Sequence, residues 1–410
     1  MNDVDVKNNR KRVVETARRF VSEVVAPVTG ELDRRQAPED CFSWTIVEKA
    51  TEFGLRTLTL AEEYGGAGAD SLTTALVIEE LARGDLGVSV VLAQTLKLIQ
   101  TLQQTATAAQ RSRFLPRFRD DPRFLLAIGI TEPQTSSDYI IPYPQARYQT
   151  IAVRGKGGWV LNGKKHFISN GNRAELYLVF AQTEAGKGLI DGSTCFLLER
   201  KTPGFSIGRV HDKMGERLAN NAELIFESCF VPDENILGEV GQGFEILACF
   251  FPASNAYAAA SILGVAVAAY ERSLRWTKER VQGGQPLIQH DMIAADLAEM
   301  RMLIDAARAY IHQAAWTADH REDGWNPTLG ALPKVFAAQV AWTVVTRALE
   351  LHGGYGYMRE QGLEKLVRDA AAFSHSDGVN RTLLLKAARF IRQQVETISE
   401  SDTEGACNED

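Results

Sequence analysis

The stretch YQTIAVRGKGGWVLNGKKHFISNG, Tyr148–Gly171, decides the fold class. Polar and apolar residues alternate along it, the period of two expected of half-buried β-strands. Its Asn162-Gly163 pair reads as a hairpin turn, because both residue types tolerate positive φ. AELYLVFAQT, STCFLLER, FSIGRV and AELIFESCFV read as further strands. A β unit therefore covers residues 124–235, ending in the Gly/Pro-punctuated VPDENILGEVGQGF.

Both flanks are helical. NNRKRVVETARRFVSEVV puts Val13, Ala17, Phe20, Val21 and Val24 on one face. DSLTTALVIEELARGDLGVSVVLAQTLKLIQTLQQ continues in the same period, with Asp70 or Ser71 as N-cap and YGGAG (Tyr64–Gly68) as punctuation before it. Beyond the β unit, Ala-rich amphipathic stretches such as IAADLAEMRMLIDAARAYIHQAAW predict a packed bundle. The expected division is a helical domain over 1–123, a β domain over 124–235, a helical bundle over 236–398 and an acidic tail over 399–410. The class is α+β, mostly α, with a cleft where the layers meet.

Composition narrows the function. The 410 residues are 45% hydrophobic and 24% charged, with net charge −7. No basic cluster is present, so nucleic acid is not an expected partner. The run AYAAASILGVAVAAY (Ala256–Tyr270) is shorter than the roughly 20 apolar residues of a membrane span, and a packed helix is expected instead. The first residues carry no apolar secretion core. Five cysteines without pairing or metal spacing suit a reducing compartment, so a cytoplasmic location is expected. The seven histidines show no ligand pattern, and no metal is expected.

Several short motifs follow one another in a fixed order. They are TEP and SD within Thr131–Asp138, LNGKKHFISNG at Leu161–Gly171, and KMGERLANNAELIFESCFVP at Lys213–Pro232. NILGEVGQGF at Asn235–Phe244, ELHGGYGYMRE at Glu350–Glu360, and LEKLVRD complete the set. Each is weak alone; in register they make residues 10–395 resemble the acyl-CoA dehydrogenase flavoprotein family. That resemblance implies a helical N-domain, a central β-barrel-like domain and a C-terminal four-helix bundle. It also implies FAD, α,β-dehydrogenation of an acyl thioester with hydride passing to flavin N5, and an electron-transfer flavoprotein as acceptor. The carrier could be coenzyme A or an acyl carrier protein.

Carried over by position, the resemblance places Ile128, Ile130 and Thr131 at the flavin ring, and Ser137 near the FAD phosphates and the thioester. Phe167 takes the place of a flavin-stacking aromatic, with Ile168 beside it and Ser169 bonding the ring. Arg280 and Glu350 would meet a neighbouring subunit's FAD, Gly354 falls on a further cofactor position, and Val379 stands where a flavin-contacting threonine is usual. Asn255 and Gly378 fall on substrate positions. Asp377 falls on the catalytic carboxylate, usually glutamate. Proton abstraction from a weakly acidic α-carbon needs such a base, while the redox step belongs to the cofactor.

The departures from the pattern matter. Aspartate is shorter than glutamate by one C–C bond, roughly 1.5 Å. A base that far from its proton loses rate unless the backbone or the substrate compensates. Ser254 and Asn255 replace the Glu or Arg common on the helix after GQGF. Gly283, Asp291 and Glu350 differ from the usual residues at cross-subunit flavin contacts, and an acid repels a pyrophosphate unless it is paired. Both a homotetramer and a mixed tetramer with a related chain are therefore open. The alternatives in function are nitroalkane-oxidase-like or monooxygenase-like chemistry on the same fold, or a supporting, non-catalytic subunit. Small residues in ASNAYAAAS would suit a bulky or cyclic acyl group.

Overall fold

The computed structural model describes residues 3–320 and 326–406. The first unit holds α1 (Asp3–Phe20), α2 (Ala26–Asp33), α3 (Trp44–Glu52), α4 (Ser71–Gly84), α5 (Leu86–Thr105) and α6 (Ala108–Asp120). Ala17 and Phe20 are fully buried, and Val13, Val21 and Val24 pack against the same core, as the helical period predicts. Start signals are local. Asp70 caps α4 by accepting from the Thr73 amide at 2.6 Å, and Asp85 caps α5 through Val88 at 3.1 Å. Thr107 and Gln110 close a reciprocal capping box on α6.

The second unit is one eight-stranded sheet: β1 (Leu126–Gly129), β2 (Ile151–Gly155), β3 (Gly158–Ser169), β4 (Leu176–Gln182), β5 (Ser193–Glu199), β6 (Phe205–Val210), β7 (Asn221–Pro232) and β8 (Ile236–Leu237). A short helical turn, α7 (Leu189–Gly192), sits between β4 and β5. The strand path is β6-β7-β3-β2-β4-β5-β8, with β1 joining β4 in parallel. The four strands read from sequence all form, and β4 is buried at every residue.

The hairpin is not where the Asn-Gly pair points. β3 runs straight through Asn162-Gly163, and the turn falls at Lys156-Gly157, where Gly157 has φ +74°. Asn162 instead accepts from the Ser228 amide at 2.8 Å across a register shift against β7. Gly163 is needed for space: a Cβ there would sit 2.6 Å from Thr150 Cα. Cross-strand packing overrides the local turn preference.

The third unit comprises α8 (Gly243–Glu279), α9 (Asp291–Asp319), α10 (Pro327–His352), α11 (Gly354–Tyr357), α12 (Leu363–Ala372) and α13 (Asn380–Ala406). α8, α9, α10 and α13 make the bundle, and α4 lies tightly along α8. That approach is close because Gly264 carries no side chain; a Cβ would meet Glu79 O at 2.4 Å. α8 and α10 are long and apolar enough to cross a membrane, but 78% and 61% of their most apolar windows are buried inside this fold. The helical backbone of α13 continues to Ala406, so the stretch expected as a tail from 399 is helical up to there; 407–410 lie outside the described residues.

Buried and half-buried ion pairs join the units and so fix the cleft. Asp369 accepts from Lys365 at 2.6 Å and from the Glu216 amide at 2.7 Å, and Lys365 also meets Asp85 at 2.8 Å. Arg368 reaches Asp33 at 2.6 Å and Glu364 at 2.6 Å. The Arg-Asp pair upstream of Asp377 is therefore a three-unit joint.

Candidate functional site

A cavity of about 940 Å³ opens where α5, the β unit, α8 and the loop 373–379 meet. Ile128, Ile130, Thr131, Ser137, Phe167, Ile168, Ser169, Asn255, Asp377, Gly378 and Val379 all line it. Residues up to 251 positions apart in sequence are thus brought to one space.

On the sheet side the wall is built from the end of β3. Phe167 has φ +58° and is 56% exposed, an unusual conformation for a bulky residue. Its ring leans on His166 and His211 at centroid distances of 4.0 and 4.6 Å. Asn221 donates to Phe167 O at 3.0 Å and to Ser169 Oγ at 3.4 Å. Asn170, also in the left-handed region, donates to Val91 O and Leu126 O and pins this strand end to α5 and β1. The preceding TEP loop is held by a fully buried pair. Lys165 Nζ donates to Glu132 Oε1 at 2.7 Å and to Ile130 O at 3.2 Å, while Glu132 accepts from the Gln149 and Thr150 amides. Burial pushes the Lys165 ammonium down to about 8 against the pull of Glu132.

The other wall carries Asp377. Its φ is +51°, and Gly378 follows at +100°. Aspartate is among the few non-glycine residues that enter the left-handed region readily. Lys97, on α5, donates to Asp377 Oδ1 at 3.0 Å and to Ser254 Oγ at 3.2 Å. Behind the loop, fully buried Lys334 on α10 donates to Phe373 O at 2.9 Å, Gly378 O at 2.8 Å and Asn380 Oδ1 at 2.8 Å. Burial pushes Lys334 down to about 7, with Asp377 opposing the shift. Tyr139, stacked on Phe251 at 5.7 Å, is half-buried beside the cavity, and its phenol is pushed up first by desolvation and then by the charge of Asp377.

Arg280, Glu350 and Gly354 lie elsewhere, around a second cavity of about 650 Å³ with Trp276, His352 and Tyr355. Arg280 stands 5.4 Å over the Tyr355 ring and 5.9 Å over Trp276, and Trp276 stacks on His352 at 5.0 Å. Glu350 shares Arg347 with Asp296, each at 3.3 Å, so one arginine faces two acids and the group keeps a net negative charge. Gly283 serves a tight turn at φ +61°, and Asp291 begins α9.

Lys97, Lys334, Gln94 and Tyr139 were not singled out from sequence. The available signal was a lone lysine inside each of two apolar helices, in LAQTLKLIQTL and in ALPKVFAAQVAW. A lysine there is fully buried only if it has partners. Among the described residues no His, Cys, Asp and Glu group could hold a metal ion.

The main cavity is large enough for a flat heterocycle together with an acyl chain. Phe167, Ile168 and Ser169 line it with an exposed aromatic face, an apolar edge and a hydroxyl, surfaces that suit a flat flavin ring with one polar edge, so the residues present fit FAD.

Three family models match in chain order: acyl-CoA dehydrogenase N-terminal domain over residues 7–120, middle domain over 127–229 and C-terminal domain over 241–391. The short-chain-specific acyl-CoA dehydrogenase of Megasphaera elsdenii is 35% identical over 389 residues, covering 93% of this chain and 98% of that protein. The solved butyryl-CoA dehydrogenase from Megasphaera elsdenii superposes with TM-score 0.87 at 34% identity, over 95% of this chain and 98% of that one. A chain from work on the electron transferring flavoprotein of Acidaminococcus fermentans also gives 0.87, at 31% identity, over 95% and 98%. The chain belongs to the acyl-CoA dehydrogenase family and is an FAD-dependent oxidoreductase.

Proposed function

We propose that the Asp377 carboxylate takes the α-proton of an acyl thioester while the β-carbon loses a hydride, leaving an α,β double bond. The observation that carries this reading is that Asp377 lines the same cavity as Phe167, Ile168 and Ser169. FAD, when bound, supplies the two-electron acceptor. The chain's own residues do the rest. Lys334 fixes the backbone on both sides of Asp377 through Phe373 O and Gly378 O. Lys97 holds one carboxylate oxygen, which sets the direction of the other. Phe250, Phe251, Tyr139 and Tyr257 wall the cavity and exclude water from the reacting carbons. Position 377 holds a left-handed backbone, a conformation aspartate enters more readily than glutamate, which supports aspartate there.

Coenzyme A thioesters are the favoured carriers, supported by the names of the Megasphaera elsdenii relatives. An electron transferring flavoprotein is the favoured acceptor, supported by the Acidaminococcus fermentans comparison. Assembly into a tetramer of this chain is favoured by exposed Met292, Met302, Trp316 and Trp342 on α9 and α10, and by the second cavity around Arg280. Full flavin occupancy of the chain purified alone would support one kind of subunit; flavin uptake only beside a related chain would support the mixed form.

The test of the reaction is anaerobic flavin reduction by butyryl-CoA. Asp377→Asn should slow reduction by about 10²–10⁴-fold with little change in thioester binding. Undiminished reduction in that variant would remove Asp377 from the reaction.

A further inference from the structure

One face of α5 turns Val90, Ala93, Gln94 and Lys97 toward the main cavity, the i, i+3, i+4, i+7 spacing of neighbours on a helix. Two of these are polar. Gln94 is only 5% exposed, and its Nε2 has no hydrogen-bond partner among the described residues. Lys97 is 4% exposed and uses two protons on Ser254 Oγ and Asp377 Oδ1. An ammonium has three; the third meets no oxygen or nitrogen acceptor among the described residues, and the ammonium lies 5.2 Å from the centre of the Phe250 ring. Ser254 and Asn255, both buried, line the cavity as well.

A buried N–H without an acceptor carries its full desolvation penalty. An apolar residue of similar size would avoid that cost at position 94. The amide therefore makes sense if something entering the cavity relieves it. We propose that Gln94, with the remaining donor of Lys97, forms a subsite for a neutral oxygen acceptor on the acyl group, a carbonyl or hydroxyl at carbon 4 or beyond. The inference rests on the acyl-thioester reading above. Charge makes the acceptor neutral: Lys97 is already balanced by Asp377, and a second carboxylate would leave an uncompensated charge in a buried cavity. A carbonyl must lie past carbon 3, because a carbonyl carbon at the β position has no hydrogen to give up as hydride, and the proposal places a hydroxyl in the same region.

The experiment measures dissociation constants by calorimetry on the FAD-loaded protein, for thioesters matched in shape. The pairs are 4-oxopentanoyl-CoA with 4-methylpentanoyl-CoA, and 5-oxohexanoyl-CoA with 5-methylhexanoyl-CoA; succinyl-CoA is the charged counterpart of the first. The oxo member should bind about tenfold tighter at one of the two lengths, and Gln94→Leu should erase that preference. The same variant should match or exceed the parent in thermal stability, since it removes an unpaired donor. Equal affinities within both pairs would overturn the subsite and leave the amide to a water molecule. A preference that survives Gln94→Leu, or succinyl-CoA binding more tightly than 4-oxopentanoyl-CoA, would overturn it too. If the methyl thioesters bind and reduce the flavin but the oxo group gains nothing, only the subsite fails. If no thioester binds, the acyl-thioester reading fails with it.

Discussion

Lys334 Nζ lies 2.8 Å from the carbonyl oxygen of Gly378, so a helix of the bundle grips the residue next to the proposed base. Its two other acceptors, Phe373 O and Asn380 Oδ1, bracket the same loop. Lys334→Met keeps the buried stem and removes the donors. We expect kcat to fall by about tenfold or more, with KM for butyryl-CoA changed much less and thermal stability reduced. Steady-state kinetics and a melting curve check this; an unchanged kcat would mean the loop holds its shape without the clamp.

The same lysine gives a signed pH dependence. Its folded value of about 7 lies below the ordinary lysine value of 10.5. Between those two values the unfolded chain binds the extra proton, so stability rises with pH across that window, at up to about 1.4 kcal/mol per pH unit. Below about 7 both states are protonated, and this slope vanishes. Denaturant titrations from pH 6 to 10 should show a smaller rise in Lys334→Met than in the parent.

Glu132 and Lys165 form a pair with both side chains 0% exposed. Removing one partner leaves the other charge stranded. Glu132→Gln should cost about 3–5 kcal/mol, and adding Lys165→Met should return part of that. A double variant no more stable than the single one would show that the Gln149 and Thr150 amides, not the lysine, make Glu132 necessary.

Phe167 stands exposed in a left-handed conformation, which costs about 1–2 kcal/mol for a residue with a side chain. Glycine would relieve the backbone and lose little burial. Phe167→Gly should leave the flavin-free fold within about 1 kcal/mol of the parent and weaken FAD binding by at least about tenfold. Fluorescence titration with FAD reads the second effect. Unchanged affinity would take the ring out of the flavin site.

Gly378 combines φ +100° with a crowded setting, where an added Cβ would come within 2.8 Å of Ile140 Cδ1. Gly378→Ala should cost about 1–3 kcal/mol and displace Asp377. Flavin reduction by butyryl-CoA should slow more than the melting temperature falls. Equal activity would show that the loop tolerates a shift of its tip.

Sequence periodicity by itself determined the order helices, strands, helices, because burying one stripe of a helix or one face of a sheet forces a repeating pattern on the chain. The caps at Asp70 and Asp85 follow from similarly short-range chemistry. The family resemblance carried by the motifs implied one site for Asp377, Phe167 and Ser169, and all three line the main cavity. What it could not fix was anything set by contacts between distant segments. Asn162-Gly163 looks like a turn until β7 packs beside it and the turn moves to Lys156-Gly157. Lys97 and Lys334 look like surface charges on their helices until the loop 373–380, over 270 residues from the first of them, supplies their acceptors. Gln94 looks like an ordinary helix former until it is found buried with an unpaired donor. Which polar groups end up in low dielectric, and who meets them there, depends on the whole chain's packing, and only the tertiary structure decided that.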